Sequence, residues 1–121
     1  MTGPRLIDAS NLEAELAEFA AEREWQRFHS PKNLAMALTA EVGELVEHFQ
    51  WITEEESRRI LADSQTAEGV KDELADVLLY LVRLASVLGV DLDEVARAKL
   101  IKNSARYPAR RATPGPWGGR P

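Results

Sequence analysis

Apolar residues along the chain recur at the spacing of amphipathic helices. A first helix is predicted from about residue 10 to 27, where apolar residues recur every three or four positions and Ser10 can cap the start. Pro31 suits the first turn of a second helix. That helix is predicted over about 32–51, because its apolar residues form one continuous stripe.

Two further helices follow the same pattern. The segment 53–56 has the Thr-x-x-Glu spacing of a capping box, which predicts a short helix that ends near residue 62. A long helix is predicted from about 67 to 88, with Gly89 as its stop. Residues 77–82 of this helix are apolar almost all round, which is typical of a buried helix.

The end of the chain divides into a last helix and a tail. Asp and Glu at the ends of segment 91–94 resemble another capping box and open a helix that runs to about residue 106. No alternating run bounded by turns indicates a strand. We therefore predict an all-α, four-helix bundle-like domain with one short extra helix over residues 1–108. Residues 109–121 are rich in Pro, Gly and Arg, lack apolar periodicity and are predicted to form a flexible tail.

Composition and charge narrow the class of function. The 121 residues include no cysteine, which excludes disulfides, thiolate metal sites and thiol nucleophiles. Four arginines and no acid follow residue 104, so residues 1–104 carry a net charge of −9. Such an acidic body argues against a nucleic-acid partner. The sequence has neither a signal peptide's apolar run nor a membrane-spanning stretch, so we expect a cytoplasmic protein with no membrane partner.

Two predicted helices each carry two acids three residues apart. Glu41 and Glu44 flank the apolar stripe of the second helix, while Glu73 and Asp76 share with Tyr80 the one polar strip of the third. Like charges at this spacing repel each other, and buried acids must be protonated, paired or metal-bound. Oxygen ligands of this kind favour Mg²⁺ or Mn²⁺. The alternative is that the four acids are ordinary solvated side chains of an acidic bundle.

Three segments extend this motif into a family resemblance. The runs FAAEREWQRFHSPKNLAMALTAEVGELVEHFQW (19–51), ELADVLLYLVRLA (73–85) and KLIKNSARYP (99–108) resemble the MazG-like nucleotide pyrophosphohydrolases, closest to their dCTP pyrophosphatase branch. The resemblance implies Mg²⁺-dependent hydrolysis of a nucleoside triphosphate, dCTP or a modified dCTP, to the monophosphate and pyrophosphate, with Mn²⁺ as a substitute ion. It also implies a homo-oligomer, either a dimer or a dimer of dimers.

The resemblance assigns roles to individual residues. The implied metal ligands and catalytic residues are Glu41, Glu44, Glu73 and Asp76. The implied nucleoside pocket is lined by Trp25, His29 and Trp51. The implied contacts to sugar or phosphates, some from a neighbouring subunit, are Tyr80, Lys99, Asn103 and Tyr107.

The chemistry needs no protein nucleophile, since a carboxylate or a hydroxide held by the ion can activate water. Glu44 is our candidate to orient that water. His29, or a backbone carbonyl near it, is the candidate for reading cytosine.

Two other functions remain compatible with the sequence. One is a binding module that uses the acidic surface to hold a basic partner, and the other is a non-catalytic helical oligomer in which the acids only fix the register. The acids, aromatic residues and basic C-terminal helix together favour the enzyme.

Overall fold

The computed structural model describes residues 4–109, and helices are the regular elements over that range. The helices are α1 (Ser10–Glu22), α2 (Pro31–Glu47), α3 (Glu54–Ser57), α4 (Ser64–Leu88) and α5 (Leu92–Arg106). Single 3-10 turns lie at Gln26–Phe28 and Ile60–Ala62. The predicted all-α class, with four main helices and one short extra helix, is confirmed. The predicted flexible tail lies, except for residue 109, outside the described residues.

Local sequence signals account for most helix ends. The Ser30 hydroxyl accepts a hydrogen bond from the Asn33 N–H at 3.2 Å, and the proline at position 31 takes the first helical position of α2. Gly89 adopts a left-handed φ of 72° directly after α4, a conformation that glycine reaches without a steric penalty. Asp91 caps α5 by accepting from the N–H groups of Asp93 and Glu94. The capping box at 53–56 forms with both of its reciprocal bonds.

Five predicted boundaries were wrong. Helix α2 ends at Glu47 rather than near residue 51, and α3 ends at Ser57 rather than near residue 62, where a separate 3-10 turn lies instead. Ser10 does not cap α1, because it is the first helical residue and both its N–H and its hydroxyl donate to Asp8. Helix α1 ends at Glu22 rather than near 27, because Glu24 adopts a left-handed φ of 56° and breaks the helix. Helix α4 begins at Ser64, three residues earlier than predicted, because Asp63 supplies a cap to the Gln65 N–H.

Helices α2 and α4 pack against each other in antiparallel directions. His29, just before α2, contacts Arg83 near the end of α4, while His48, just after α2, lies over Gly69 near its start. A Cβ atom at Gly69 would lie 2.8 Å from Cε1 of His48, so glycine allows the two helices to approach closely. This packing fixes which residues of the two helices face each other.

The core lies where α1, α2 and α4 meet. Ala20 of α1, Leu34 of α2 and Val82 and Ala85 of α4 are buried. The prediction that residues 77–82 are buried is met only in part, because Leu78 and Leu81 remain 49% and 41% exposed. None of the helices within residues 4–109 combines the length and apolar character that a membrane-spanning segment requires.

Helix α5 is tied to the body through the N-terminal segment. The Asp93 side chain accepts hydrogen bonds from the backbone N–H groups of Leu6 and Ile7 and from Nε of Arg97. Arg5 forms an ion pair with Asp91 at 3.0 Å. Beyond this attachment an apolar cleft of about 790 Å³ separates α5 from α1 and α4, and Leu78, Leu81 and Val95 are among the residues that line it.

Asp93 should therefore control the stability of the α5 attachment. The residue is only 3% exposed; burial alone would raise its pKa, but the hydrogen bonds from Ile7, Arg97 and Leu6 outweigh burial and hold that pKa below its usual value. We expect Asp93→Asn to lower the melting temperature by at least about 5 °C, because Arg97 loses its charged partner.

The pH dependence of this loss follows from the lowered pKa. A carboxylate with a depressed pKa stabilises the fold above its ordinary pKa and loses this contribution as the pH falls through the folded-state pKa. The difference in melting temperature between wild type and Asp93→Asn should therefore be constant above about pH 5. It should become smaller below about pH 4. Glu18→Gln, on the exposed side of α1, is the matched control, and a difference that persisted unchanged in acid would contradict this account.

Candidate functional site

Helices α2 and α4 bring three predicted acidic residues together. One carboxylate oxygen from each of Glu41, Glu73 and Asp76 lies within 4.8 Å of the other two, and all three residues are half-buried. Glu44, the fourth predicted acid, lies one turn further along α2 and is exposed. The antiparallel packing of two helices thus produces an acidic cluster, made of Glu41, Glu44, Glu73 and Asp76.

Two oxygens of this cluster lack partners within the protein. Oε2 of Glu41 and Oε2 of Glu73 are both buried and accept no hydrogen bond within residues 4–109. A buried carboxylate oxygen without a partner is costly unless a proton or a cation compensates it. The donor set consists of oxygen only, which fits a hard divalent cation. The residues present therefore fit the bound metal ion that the sequence predicts.

Mutual repulsion is visible in the pKa values of the cluster. The neighbouring carboxyl group of Glu44 is the main cause that raises the pKa of Glu41 to about 7, and burial and the carboxyl group of Glu73 act in the same direction. Burial is the main cause that raises the pKa of Glu73, and the negative charges of Glu44 and Asp76 act in the same direction. Each raised pKa means that, without a bound cation, the folded protein favours a proton on that carboxyl group.

An aromatic corner, made of Phe19, Trp25 and His29, lies near the C-terminal end of α4. The rings of Phe19 and Trp25 meet edge to face with centroids 5.7 Å apart, and the His29 ring lies 6.3 Å from that of Trp25. Trp25 is 43% exposed, so its ring is accessible to a ligand. His29 is half-buried, and its Nδ1 accepts a hydrogen bond from Nε of Arg83 at 3.1 Å.

Arg83 is the residue that sequence reasoning missed. Burial, followed by the charge of the Arg83 guanidinium, lowers the pKa of His29. The only sequence signal was a single cation in the otherwise apolar second half of α4, seven residues after Asp76. Seven residues are about two helical turns, so Asp76 and Arg83 share one side of α4 and lie about 10 Å apart along its axis. Tyr80, which is half-buried, lies between them on the same side.

Trp51 is not part of this corner within a single chain. It is 85% exposed and follows the C-terminal end of α2, whereas His29 precedes the N-terminal end. The 17 residues of α2 span about 25 Å. Within one chain, Trp51 therefore lies far from Trp25 and His29, although the family resemblance implies that all three line one pocket.

The predicted phosphate or sugar contacts on α5 are also separate from the acidic cluster. Lys99 is exposed and borders the apolar cleft, and Asn103 and Tyr107 are half-buried near the end of α5. Within residues 4–109, apart from bonds to its own capping residues, the hydrogen bonds from α5 to other parts of the chain go to Leu6 and Ile7. Over the described residues, no side-chain hydrogen bond or ion pair joins these three residues to α2.

An all-α fold with paired acids on two antiparallel helices defines a recognisable class of protein. Residues 36–113 match the model of the MazG-like family, and the chain belongs to that family. The family resemblance inferred from the sequence is thereby confirmed.

Individual relatives agree with this assignment. The chain is 46% identical over 109 residues to human dCTP pyrophosphatase 1, a match that covers 90% of this chain and 62% of the human protein. It is 45% identical over 105 residues to the Bos taurus protein of the same name, covering 87% of this chain and 60% of that protein. The chain thus spans about 60% of the length of these curated relatives.

A solved structure supports the fold. The crystal structure of a pyrophosphatase from Archaeoglobus fulgidus superimposes with a TM-score of 0.77 at 35% sequence identity. The match covers 89% of this chain and 99% of the archaeal chain.

The repulsion within the acidic cluster should be measurable as stability. In EDTA, Glu41→Gln should melt a few degrees higher than wild type, because it removes one of the like charges held together at the α2–α4 interface. Differential scanning calorimetry measures this shift. Glu47→Gln, on the exposed side of the same helix, is the matched control and should leave the melting temperature almost unchanged. A lower melting temperature for Glu41→Gln would show that repulsion does not dominate the cluster.

Proposed function

We propose that the protein hydrolyses a nucleoside triphosphate, preferentially dCTP or a modified dCTP, to the monophosphate and pyrophosphate. The observation that carries this proposal is the convergence of Glu41, Glu73 and Asp76, with two buried oxygens that have no partner in the described chain. The identity to dCTP pyrophosphatase 1 over most of this chain supports the reaction and the base. The role would be to cleanse or balance nucleotide pools.

The acidic cluster would hold Mg²⁺, with Mn²⁺ as a substitute. Four carboxylates alone would repel a triphosphate that carries about four negative charges. The bound ion supplies neutralisation of the charge that develops on the phosphate oxygens. Glu41, Glu73 and Asp76 are the ligands that the geometry favours most, and Glu44 is the fourth residue of the set.

Glu44 would act on water. Its carboxylate is exposed and raises the pKa values of both Glu41 and Glu73, yet it is not one of the three residues whose oxygens converge. In the proposed reaction the oxygen of a water molecule bonds to the α-phosphorus while its proton passes to Glu44. The bond from the α-phosphorus to the bridging oxygen breaks, and pyrophosphate leaves.

Trp25 and His29 would bind the base. The accessible face of Trp25 can stack on a nucleobase, and stacking of this kind gives affinity with little discrimination. Polar groups at His29 would add selectivity for cytosine. Tyr80 lies between this corner and the acids, where a bound nucleotide carries its sugar.

A second copy of the chain would complete the site. The row Leu74, Leu78 and Leu81 on α4 is uncovered in the single chain, and so is the apolar cleft beside α5. We propose that a dimer, or a dimer of dimers, covers these surfaces. The same assembly would supply Trp51, Lys99, Asn103 and Tyr107 to the site of the neighbouring subunit.

Pyrophosphate release from dCTP tests the reaction directly. We expect turnover with Mg²⁺, loss of turnover in EDTA, and recovery when Mn²⁺ or Mg²⁺ is added back. Glu73→Gln and Asp76→Asn should each lower kcat by at least about a hundredfold, since several kcal/mol of charge stabilisation is lost. Glu47→Gln should remain active. A helical protein without metal-dependent turnover would favour the binding module or the structural oligomer instead.

Hybrid oligomers test whether Trp51 acts across subunits. Trp51→Ala should lower kcat/KM by about 1–3 kcal/mol, the usual value of one base–aromatic stack. Co-expression of the Trp51→Ala and Glu73→Gln variants should then restore about a quarter of wild-type activity. Half of the dimers are mixed, and in each mixed dimer one of the two sites combines an intact Trp51 from one chain with intact acids from the other. If Trp51 served its own chain, mixing would restore nothing.

A further inference from the structure

We propose that Arg83 is a positioning residue that fixes His29 as a hydrogen-bond donor toward the nucleobase. In this arrangement the neutral imidazole of His29 carries its proton on Nε2, and that N–H selects a ring acceptor such as N3 of cytosine. The recognition of a base rests on the proposed function, whereas the arrangement of Arg83 and His29 does not.

The hydrogen bond between the two side chains sets the tautomer. Nε of Arg83 lies 3.1 Å from Nδ1 of His29. A guanidinium group has only donors and stays protonated in proteins, so Nδ1 of His29 must be the acceptor and carry no proton. A neutral imidazole with an unprotonated Nδ1 has its proton on Nε2. Arg83 therefore selects one of the two neutral forms of His29.

The charge of Arg83 opposes the third form, the imidazolium ion. Protonation of Nδ1 would place an N–H against the Nε–H of Arg83 and two positive charges side by side. Burial and this guanidinium both act to lower the pKa of His29. Within residues 4–109 neither His29 nor Arg83 forms an ion pair with a carboxylate, so no acid offsets the repulsion.

The surroundings of His29 indicate which ligand its Nε2 N–H would bind. Nε2 of His29 makes no hydrogen bond inside the described part of the chain, which leaves it available to a ligand. Trp25 presents an accessible ring 6.3 Å from the imidazole. Asp76 lies about 10 Å along α4 on the same side of the helix, a separation that a nucleotide can span between its base and its phosphates.

A fixed N–H donor on His29 distinguishes cytosine from uracil and thymine. Ring position N3 is an acceptor in cytosine and an N–H donor in uracil and thymine. An N–H directed at that position is matched by cytosine and meets a second donor in uracil. A site built around such a hydrogen bond rejects the mismatched analogue because a buried donor is left unpaired.

Nitrogen NMR of the substrate-free protein tests the tautomer. The chain has two histidines, so a His48→Leu variant assigns the signals of His29. Wild type should show an unprotonated Nδ1 and a protonated Nε2. Arg83→Leu should show a mixture of both neutral forms, and Arg83→Gln, which keeps a donor, should retain the wild-type form in part. Arg58→Leu removes an exposed guanidinium elsewhere and should change nothing. An unchanged tautomer in a folded Arg83→Leu protein would overturn the proposal.

Kinetics separates positioning from direct contact with the substrate. The ratio of kcat/KM for dCTP over dUTP should fall by about three- to tenfold in Arg83→Leu, with partial rescue in Arg83→Gln. In a His29→Ala background the Arg83→Leu change should have no further effect on that ratio. An equal loss on both nucleotides, or a further loss without His29, would show that Arg83 contacts the substrate itself. If wild type hydrolysed neither nucleotide, the proposed function would fail, and NMR would still decide the positioning role.

Discussion

The close approach of like-charged carboxylates at the α2–α4 interface is the constraint on which the rest of the structure depends. Two helices that pack with Glu41 opposite Glu73 and Asp76 lose stability to repulsion and burial, and nearby apolar contacts around Leu34 and Val82 have to offset that loss. A fold that keeps these repelling carboxylates together provides a site that a bound cation would stabilise. The proposed function and the loss of stability would then have the same origin, as is common in binding sites.

The antiparallel pairing of α2 with α4 also arranges the acidic cluster and the aromatic corner along the length of α4. Acids lie at the middle of α4 and the aromatic corner lies near its end, so a ligand that binds both must be elongated. A cation held by the acids would favour negative charge at that end of the ligand. The acids lie on two rigid helices, and the hydrogen bond from Arg83 of α4 holds His29, which lies in the connection between α1 and α2. The corner itself begins where α1 stops, because the break at Glu24 turns Trp25 and His29 toward α4.

Periodic apolar residues, caps and the stop at Gly89 were sufficient to predict the helices, and the spacing of the acids predicted the cluster. What the sequence could not supply depends on tertiary packing. The bond between His29 and Arg83 joins residues 54 positions apart, and only the direction of α4 brings them together. Trp51 was grouped with Trp25 on resemblance alone, since nothing local in the sequence measures the length of α2 between them. Ser10 was a plausible cap until Asp8 took its N–H and hydroxyl.

The attachment of α5 has a consequence for how freely the N-terminal segment can vary. Asp93 holds this segment through the backbone N–H groups of residues 6 and 7, and a backbone donor is supplied by almost any amino acid. Substitutions of the side chains at these two positions can therefore keep the backbone hydrogen bonds to Asp93. Proline is the exception, because it has no N–H to donate. A single proline at either position would remove one of the two backbone hydrogen bonds to Asp93 and weaken the attachment of α5, while leaving every residue of the acidic cluster unchanged.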